Sequence, residues 1–295
     1  ILSTLFLLIP ILVGYRAMRW RNGLPQEQRW RLRHLEAASC LVIGVAFSVA
    51  NGLRVHIAER AARQDSFATL ARAQAEGIAE SLEDLGACLE DLGRFLERSP
   101  RVEAAEFQAY VRLFVRNGLA QAWEWVPAVP YDAVTGVESQ ARRDGVGSFS
   151  IFQWDARGLR VPVARRDLYY PVLYAAPGEG NERALGYDLG SDPVQRAART
   201  RLTVASAPVT LIQGTGDPHG VFLYRPVYDA EQHFQSLRGF AVVVLRPETV
   251  LRRSLRLSGN DRLGIAASIF QLGGDPQPRR VASTSPDAPS PSDTM

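Results

Sequence analysis

Apolar and polar positions along this chain change their rhythm from one stretch to the next, and each rhythm predicts an element. Residues 1–13 are almost all apolar, and 35–53 (LEAASCLVIGVAFSVANGL) form a second apolar run with Glu36 and Asn51 near its edges. About 20 apolar residues span a bilayer, so 35–53 is predicted to be a transmembrane helix and 1–14 the end of a truncated one. The other reading of 35–53, a buried helix of a soluble protein, stays open. From 54 to 98 there is no proline, and Ile78, Leu82, Leu85, Leu89, Leu92 and Leu96 recur at alternating steps of four and three, continued backwards by Ala75, Ala71 and Ala68. That repeat describes either a coiled-coil seam, with a homodimer formed through residues 68–96, or an amphipathic helix packed on its own domain. Ser99-Pro100 stops it, and 101–118 is predicted to be a second amphipathic helix.

Beyond 118 the rhythm shortens to the period of strands. LAQAWEWVPAVP, 149–154, RRDLYYPVLYAAP, ALGYDLG, SAPVTL, GVFLYRPVY, GFAVVVL, 265–272 and 281–283 are short apolar runs separated by Gly, Pro and Asp, the signature of strands and turns. Pro193–Arg201 is a helix capped by Asp192. GTGDPHG at 214–220 is expected to be a hairpin loop. The class is α+β: one sheet with helices on one side. The chain is thus divided into 1–14 (end of a transmembrane helix), 15–34 (Arg-rich loop), 35–53 (transmembrane helix), 54–118 (signalling and dimerisation helices), 119–285 (sensory α+β domain) and 286–295 (Ser/Pro-rich linker). Beginning inside an apolar run and ending in SPDAPSPSDTM, it is expected to be a piece of a longer protein.

Charge adds topology. The 295 residues carry a formal charge of +3 and no lysine. Arg16, Arg19, Arg21, Arg29, Arg31 and Arg33 crowd the loop between the apolar runs, with Trp20 and Trp30 among them. By the positive-inside rule that loop faces the cytoplasm. Residues from 54 onward are then periplasmic or extracellular, in a multi-pass protein of a bacterial inner (plasma) membrane. The basic residues belong to the membrane flank, so no nucleic-acid partner is expected. Two cysteines, Cys40 and Cys88, give neither a disulfide framework nor a zinc site; Cys88 lies next to the seam and either crosslinks a dimer or stays a free thiol.

Seven of these segments, in this order and preceded by a membrane span and a long helix, resemble the CHASE domain: GLAQAWEWVPAV, RRDLYYPVLYAAP, ALGYDLGSDP, Ala197–Arg201, SAPVTL, GVFLYRPVY and GFAVVVL, covering about residues 60–285. The resemblance implies an extracellular sensory module of receptor histidine kinases and diguanylate or adenylate cyclases. It implies a long N-terminal helix preceded by transmembrane helices and followed by two PAS-like antiparallel-sheet subdomains, a dimer, and an output enzyme beyond the chain. Plant cytokinin receptors belong to this family and offer an Asp to their ligand from a segment Arg-Asp-x-Tyr-x-Pro-Val. Arg166-Asp167-Leu168-Tyr169-Tyr170-Pro171-Val172 is similar to it, with Asp167 in the matching place.

Pockets for small molecules are mostly apolar with a few convergent polar groups. Alternation puts Asp167 and Tyr169 on one face of a strand, Leu185 and Tyr187 on one face of the next, and Phe222 and Tyr224 on one face of a later one. With Ser206 as a hydrogen-bond donor, they form a candidate cage for a small flat or cationic ligand of unknown identity. The plain alternatives are a surface ion pair for Asp167 and cross-strand packing for the tyrosines. No HExxH, GxSxG or phosphate-loop signature occurs, so no catalytic residue, metal or cofactor is expected in this segment. A ligand-sensing ectodomain, a membrane-tethered periplasmic enzyme and a structural or partner-binding ectodomain remain in contention.

Overall fold

The computed structural model describes residues 26–116, 118–155, 157–190, 192–211, 219–230, 235–257, 267–271 and 279–284. In chain order the elements are α1 (Gln26–Arg98), α2 (Ala104–Val115), β1 (Ala120–Pro127), β2 (Val129–Pro130), α3 (Val134–Arg143), β3 (Phe152–Trp154), β4 (Arg160–Pro162), β5 (Leu168–Tyr169), β6 (Tyr174–Ala176), α4 (Asp192–Thr200), β7 (Val204–Ala205), β8 (Val209–Thr210), β9 (His219–Tyr228), β10 (Leu237–Leu245), α5 (Pro247–Leu257), β11 (Ser268–Gln271) and β12 (Arg279–Ser283). The chain divides into two units, residues 1–71 and 72–295. The expectations for 1–14, for 15–25, for the hairpin loop through 218 and for the linker 286–295 fall outside the described residues.

In the first unit the described part is helix. Residues 26–34, expected as loop, belong to α1. The stretch QEQRWRLRH has no Gly or Pro and is built mainly from good helix formers, so its charge does not keep it from being helical. Leu41, Val42, Ile43, Val45, Phe47 and Val49 are each more than half exposed. At 100° per residue they point to all sides. A helix that is apolar all round and uncovered suits lipid, not water. Among the described residues this is the one helix long and apolar enough to cross a membrane.

In the second unit the heptad pattern has a different owner from the coiled coil considered above. Leu85, Leu89, Leu92 and Leu96 are almost completely buried, in a core shared with Phe107 and Val111 of α2. Each such burial contributes about 1.5–3 kcal/mol. That part of the 68–96 seam packs on its own sheet and is not available to a second chain. Sequence spacing alone does not separate the two cases, because a 3.5-residue and a 3.6-residue repeat barely diverge over a few turns. Ala68, Ala71, Ala75 and Leu82 stay exposed, and Ile78 packs near Leu251 and Leu255 of α5.

The sheet is antiparallel with strand order β6-β1-β10-β9-β7, and β8 also pairs with β9. Alternation sends Trp123, Trp125, Tyr174, Ala241, Val243 and Val227 into the core with α1 and α2. Ala122, Val126, Ala175, Phe222, Tyr224, Phe240, Val242 and Val244 go to the other face, where Val194 and Ala197 of α4 join Val172, Leu189 and Leu211. Helices therefore cover both faces, not one as expected; β10 is apolar at consecutive positions from Phe240 to Leu245, and β9 from Val221 to Tyr224, the mark of strands buried on both sides. Two subdomains were expected; outside the main sheet, the described residues include the two-stranded ribbon β11–β12, packed with α5.

One predicted strand is not a strand, and another is shortened. ALGYDLG forms a 3-10 turn at Glu182–Ala184 and single bridges at Tyr187 and Asp188. Gly186 interrupts it at φ +86°, with its Cα so close to the Ser150 carbonyl that any side chain would overlap it. Of SAPVTL only Val209–Thr210 is strand, β8, which follows Pro208; Ser206 lies between β7 and β8.

Candidate functional site

On the α4 face of the sheet a cavity of about 430 Å3 opens between β9, the 184–190 segment and residues 206–211. Tyr187, Ser206, Phe222 and Tyr224, all anticipated, line it. Phe222 and Tyr224 stand in register on β9 with rings stacked at 5.9 Å and 14°. Tyr224 in turn meets Phe240 edge-on at 6.4 Å.

The other three anticipated residues lie elsewhere. Asp167 is exposed and precedes β5; its carbonyl accepts the Tyr131 N–H at 3.2 Å. Tyr169 is buried in a separate core with Val129, Ala141, Phe149 and Ile151, and its hydroxyl donates to the Ala164 carbonyl at 3.1 Å. Leu185 packs at the edge of the α4-side core without lining the cavity. A two-residue strand does not extend its alternation to neighbours, so facing could not be carried from Tyr169 to Asp167 or onward. Ser206 is present but its proton is used: the hydroxyl donates to the Ala207 carbonyl at 2.6 Å and accepts the Phe222 N–H at 3.0 Å.

Two carboxylates not anticipated line the cavity: Asp188 and Glu124. Asp188 has a fully buried side chain. Its Oδ1 accepts the Tyr170 N–H at 2.8 Å and the Gly190 N–H at 3.3 Å, and Oδ2 pairs with the Arg166 guanidinium. These donors fix the cavity wall. Glu124 sits mid-strand on β1, has no exposed surface, and shares the face of Ala122 and Val126. Its signal was readable: an acid in WEWV, two positions from small or branched apolar residues, faces inward if the strand does. Asp188 stands beside Gly190 and Ser191, where an acid reads as a turn residue, and it forms only an isolated bridge with Pro171. Tyr170, on the same face, meets Phe240 at 5.5 Å, and burial pushes its hydroxyl pKa up.

The opposite face of β9 grips the helix. Arg225 donates to Glu97 Oε1 at 2.5 Å and to Glu90 Oε2 at 3.2 Å, two carboxylates seven residues apart on α1. Burial pulls its guanidinium pKa down, but the two glutamates outweigh that and hold it above its ordinary value. Arg238 of β10 donates to the carbonyls of Leu96, Ser99 and Pro100 at 2.6, 3.0 and 2.7 Å, satisfying acceptors that the end of α1 leaves open. A second, larger cavity of about 730 Å3 lies near α5 and β11–β12; among the described residues its lining is apolar apart from Arg196 and Ser206.

A family model described as CHASE domain matches residues 100–281. No curated protein matches the chain. Among solved structures it is similar to an extracellular ligand binding receptor from Desulfohalobium retbaense DSM5692, at 17% identity and a TM-score of 0.41, over 70% of this chain and 29% of that one. It is also similar to the ligand binding domain of the Pseudomonas aeruginosa PAO1 amino acid chemoreceptor PctC in complex with GABA, at 17% identity and a TM-score of 0.39, over 72% of each chain. The chain thus spans less than a third of the length of the first of these.

Proposed function

The chain belongs to the CHASE-domain family of extracellular sensory modules, and from that premise we propose that it is the small-molecule-sensing part of a transmembrane receptor. Residues from 54 onward stand outside the cytoplasm, and the output is a cytoplasmic histidine kinase or diguanylate cyclase. The apolar, uncovered stretch of α1 supports anchorage in a bacterial inner membrane, and exposed Ala68, Ala71 and Ala75 support a dimer contact on that helix.

One observation carries the reading. Strand β9 offers Phe222 and Tyr224 to the cavity and, from the next position, Arg225 to Glu90 and Glu97 of α1. A ligand that binds one position of β9 better than another biases the helix by that difference in affinity and by no more. The full chain in lipid nanodiscs, screened against a metabolite library by thermal shift, is expected to yield a saturable ligand that alters hydrogen exchange of amides 85–97. Arg225→Gln should keep the binding and lose the exchange response. A library without any saturable ligand, or a ligand that leaves those amides unchanged in the wild type, would defeat the proposal.

A further inference from the structure

We propose that the Trp154 face of the β3–β4 hairpin is a second binding site, for a small oxyanion of the sulfate, phosphate or polycarboxylate class. Trp154, Arg160 and Arg183 form it, and none of the three lines the β9 cavity. The hairpin register sets Trp154 directly opposite Arg160, and alternation puts Phe152 on the same side as Trp154. The two rings meet edge to face at 5.1 Å. The Arg160 guanidinium lies over both, 4.3 Å from the Phe152 centroid and 5.5 Å from that of Trp154. Arg183 comes from the 3-10 turn at Glu182–Ala184. The Phe152 N–H tethers the chain beyond that turn by donating to the Gly186 carbonyl at 3.0 Å. The Arg183 guanidinium stands 5.1 Å from the same indole.

Two like charges thus share one ring. Both arginines are exposed, and neither guanidinium has an ion-pair partner among the described residues. The Trp154 Nε1–H is shielded from solvent and has no acceptor. Two forks and an indole N–H are therefore donors in want of one. A guanidinium stacked on an aromatic ring is already oriented, and its planar fork matches the oxygens of carboxylate and phosphate. An oxyanion between the two cations relieves their repulsion, gains charge-assisted hydrogen bonds, and offers the indole edge an acceptor. A neutral or cationic ligand does none of these. The acids nearby set the size. Glu182 adjoins Arg183 and Asp155 adjoins Trp154, and the Asp155 carboxylate already accepts the N–H groups of Arg157 and Leu159. A long polyanion would meet those carboxylates, whereas a compact ion need not.

The test uses the full chain in nanodiscs of zwitterionic lipid, with isotope-labelled tryptophan side chains, at low ionic strength because exposed charges are screened by salt. Trp154→Phe identifies the Trp154 indole resonance. Sulfate, phosphate or citrate is expected to shift that resonance saturably, at concentrations where chloride does not. Arg160→Gln and Arg183→Gln should each weaken the binding about threefold or more, as loss of an exposed ion pair does. Arg199→Gln, an exposed arginine on α4, should leave it unchanged. The absence of a saturable shift with all three anions would overturn the site, as would unchanged binding in both folded variants or an equal loss in Arg199→Gln. Should either variant fail to fold, the other decides. Binding of dextran sulfate without binding of any of the three small ions would overturn the small-ion assignment. None of these outcomes bears on the metabolite screen, so the sensor reading stands or falls separately.

Discussion

Tyr174 ties the sheet to the segment between the first two helices and to the end of α3. Its hydroxyl donates to Asp144 Oδ2 at 3.0 Å and lies 3.2 Å from the Val102 carbonyl. Burial, then the hydrogen bond to Asp144, raise its pKa well above the ordinary phenol value. Above about pH 10 the unfolded chain loses this proton while the folded chain keeps it. Stability must therefore fall as pH rises beyond that point, and be complete below it. Tyr174→Phe is expected to lower stability at neutral pH by about 1 kcal/mol and to flatten the alkaline part of the pH–stability curve, read from urea midpoints. Two glycines of α1 should answer oppositely to alanine. At Gly93 a methyl group would overlap the Arg225 side chain, so Gly93→Ala should cost about 1–3 kcal/mol. Nothing lies near the Gly86 position, so Gly86→Ala should stabilise by up to about 1 kcal/mol through helix propensity.

Among the elements, α1 separates two kinds of apolar position that look alike in sequence. Leu92→Ala should cost about 2–5 kcal/mol in urea unfolding, whereas half-exposed Leu82 should cost about 1 kcal/mol or less. For the dimer contact, Ala71→Cys is expected to crosslink in oxidised membranes and Leu92→Cys is not. Strands β9 and β10 were legible because long runs of apolar residues bounded by breakers leave little choice of structure. The path of 177–190 was not, because distant partners set it. Buried Asn181 donates to the carbonyls of Gln121 and Pro177 and accepts from Gln121 Nε2. Asp188 draws in Arg166, Tyr170 and Gly190. Half of the cavity, the β9 aromatics with Tyr187 and Ser206, could be named from alternation and composition; its carboxylates sat on a short bridge and in an aromatic strand, where an acid reads first as a turn residue or an edge position.

For the whole molecule the prediction concerns sidedness. Cys40 is exposed on the protein surface within the apolar stretch of α1, and lipid would cover it. In a Cys88→Ala background, a membrane-impermeant maleimide should leave Cys40 unlabelled in intact membranes and label it in detergent, while Asp167→Cys should react from outside. Labelling of Asp167→Cys from the cytoplasmic side alone would reverse the orientation. The two-faced sheet described above carries one more consequence. Its central strands are shared by a core built on α1 and a core built around the cavity, so neither side is thermodynamically private. Equilibrium coupling is reciprocal: if, as proposed, a ligand at the aromatic side shifts the helix, a clamp on the helix changes that ligand's dissociation constant by the same factor. Receptors poised differently by their neighbours in the bilayer would then report different apparent sensitivities to one and the same compound.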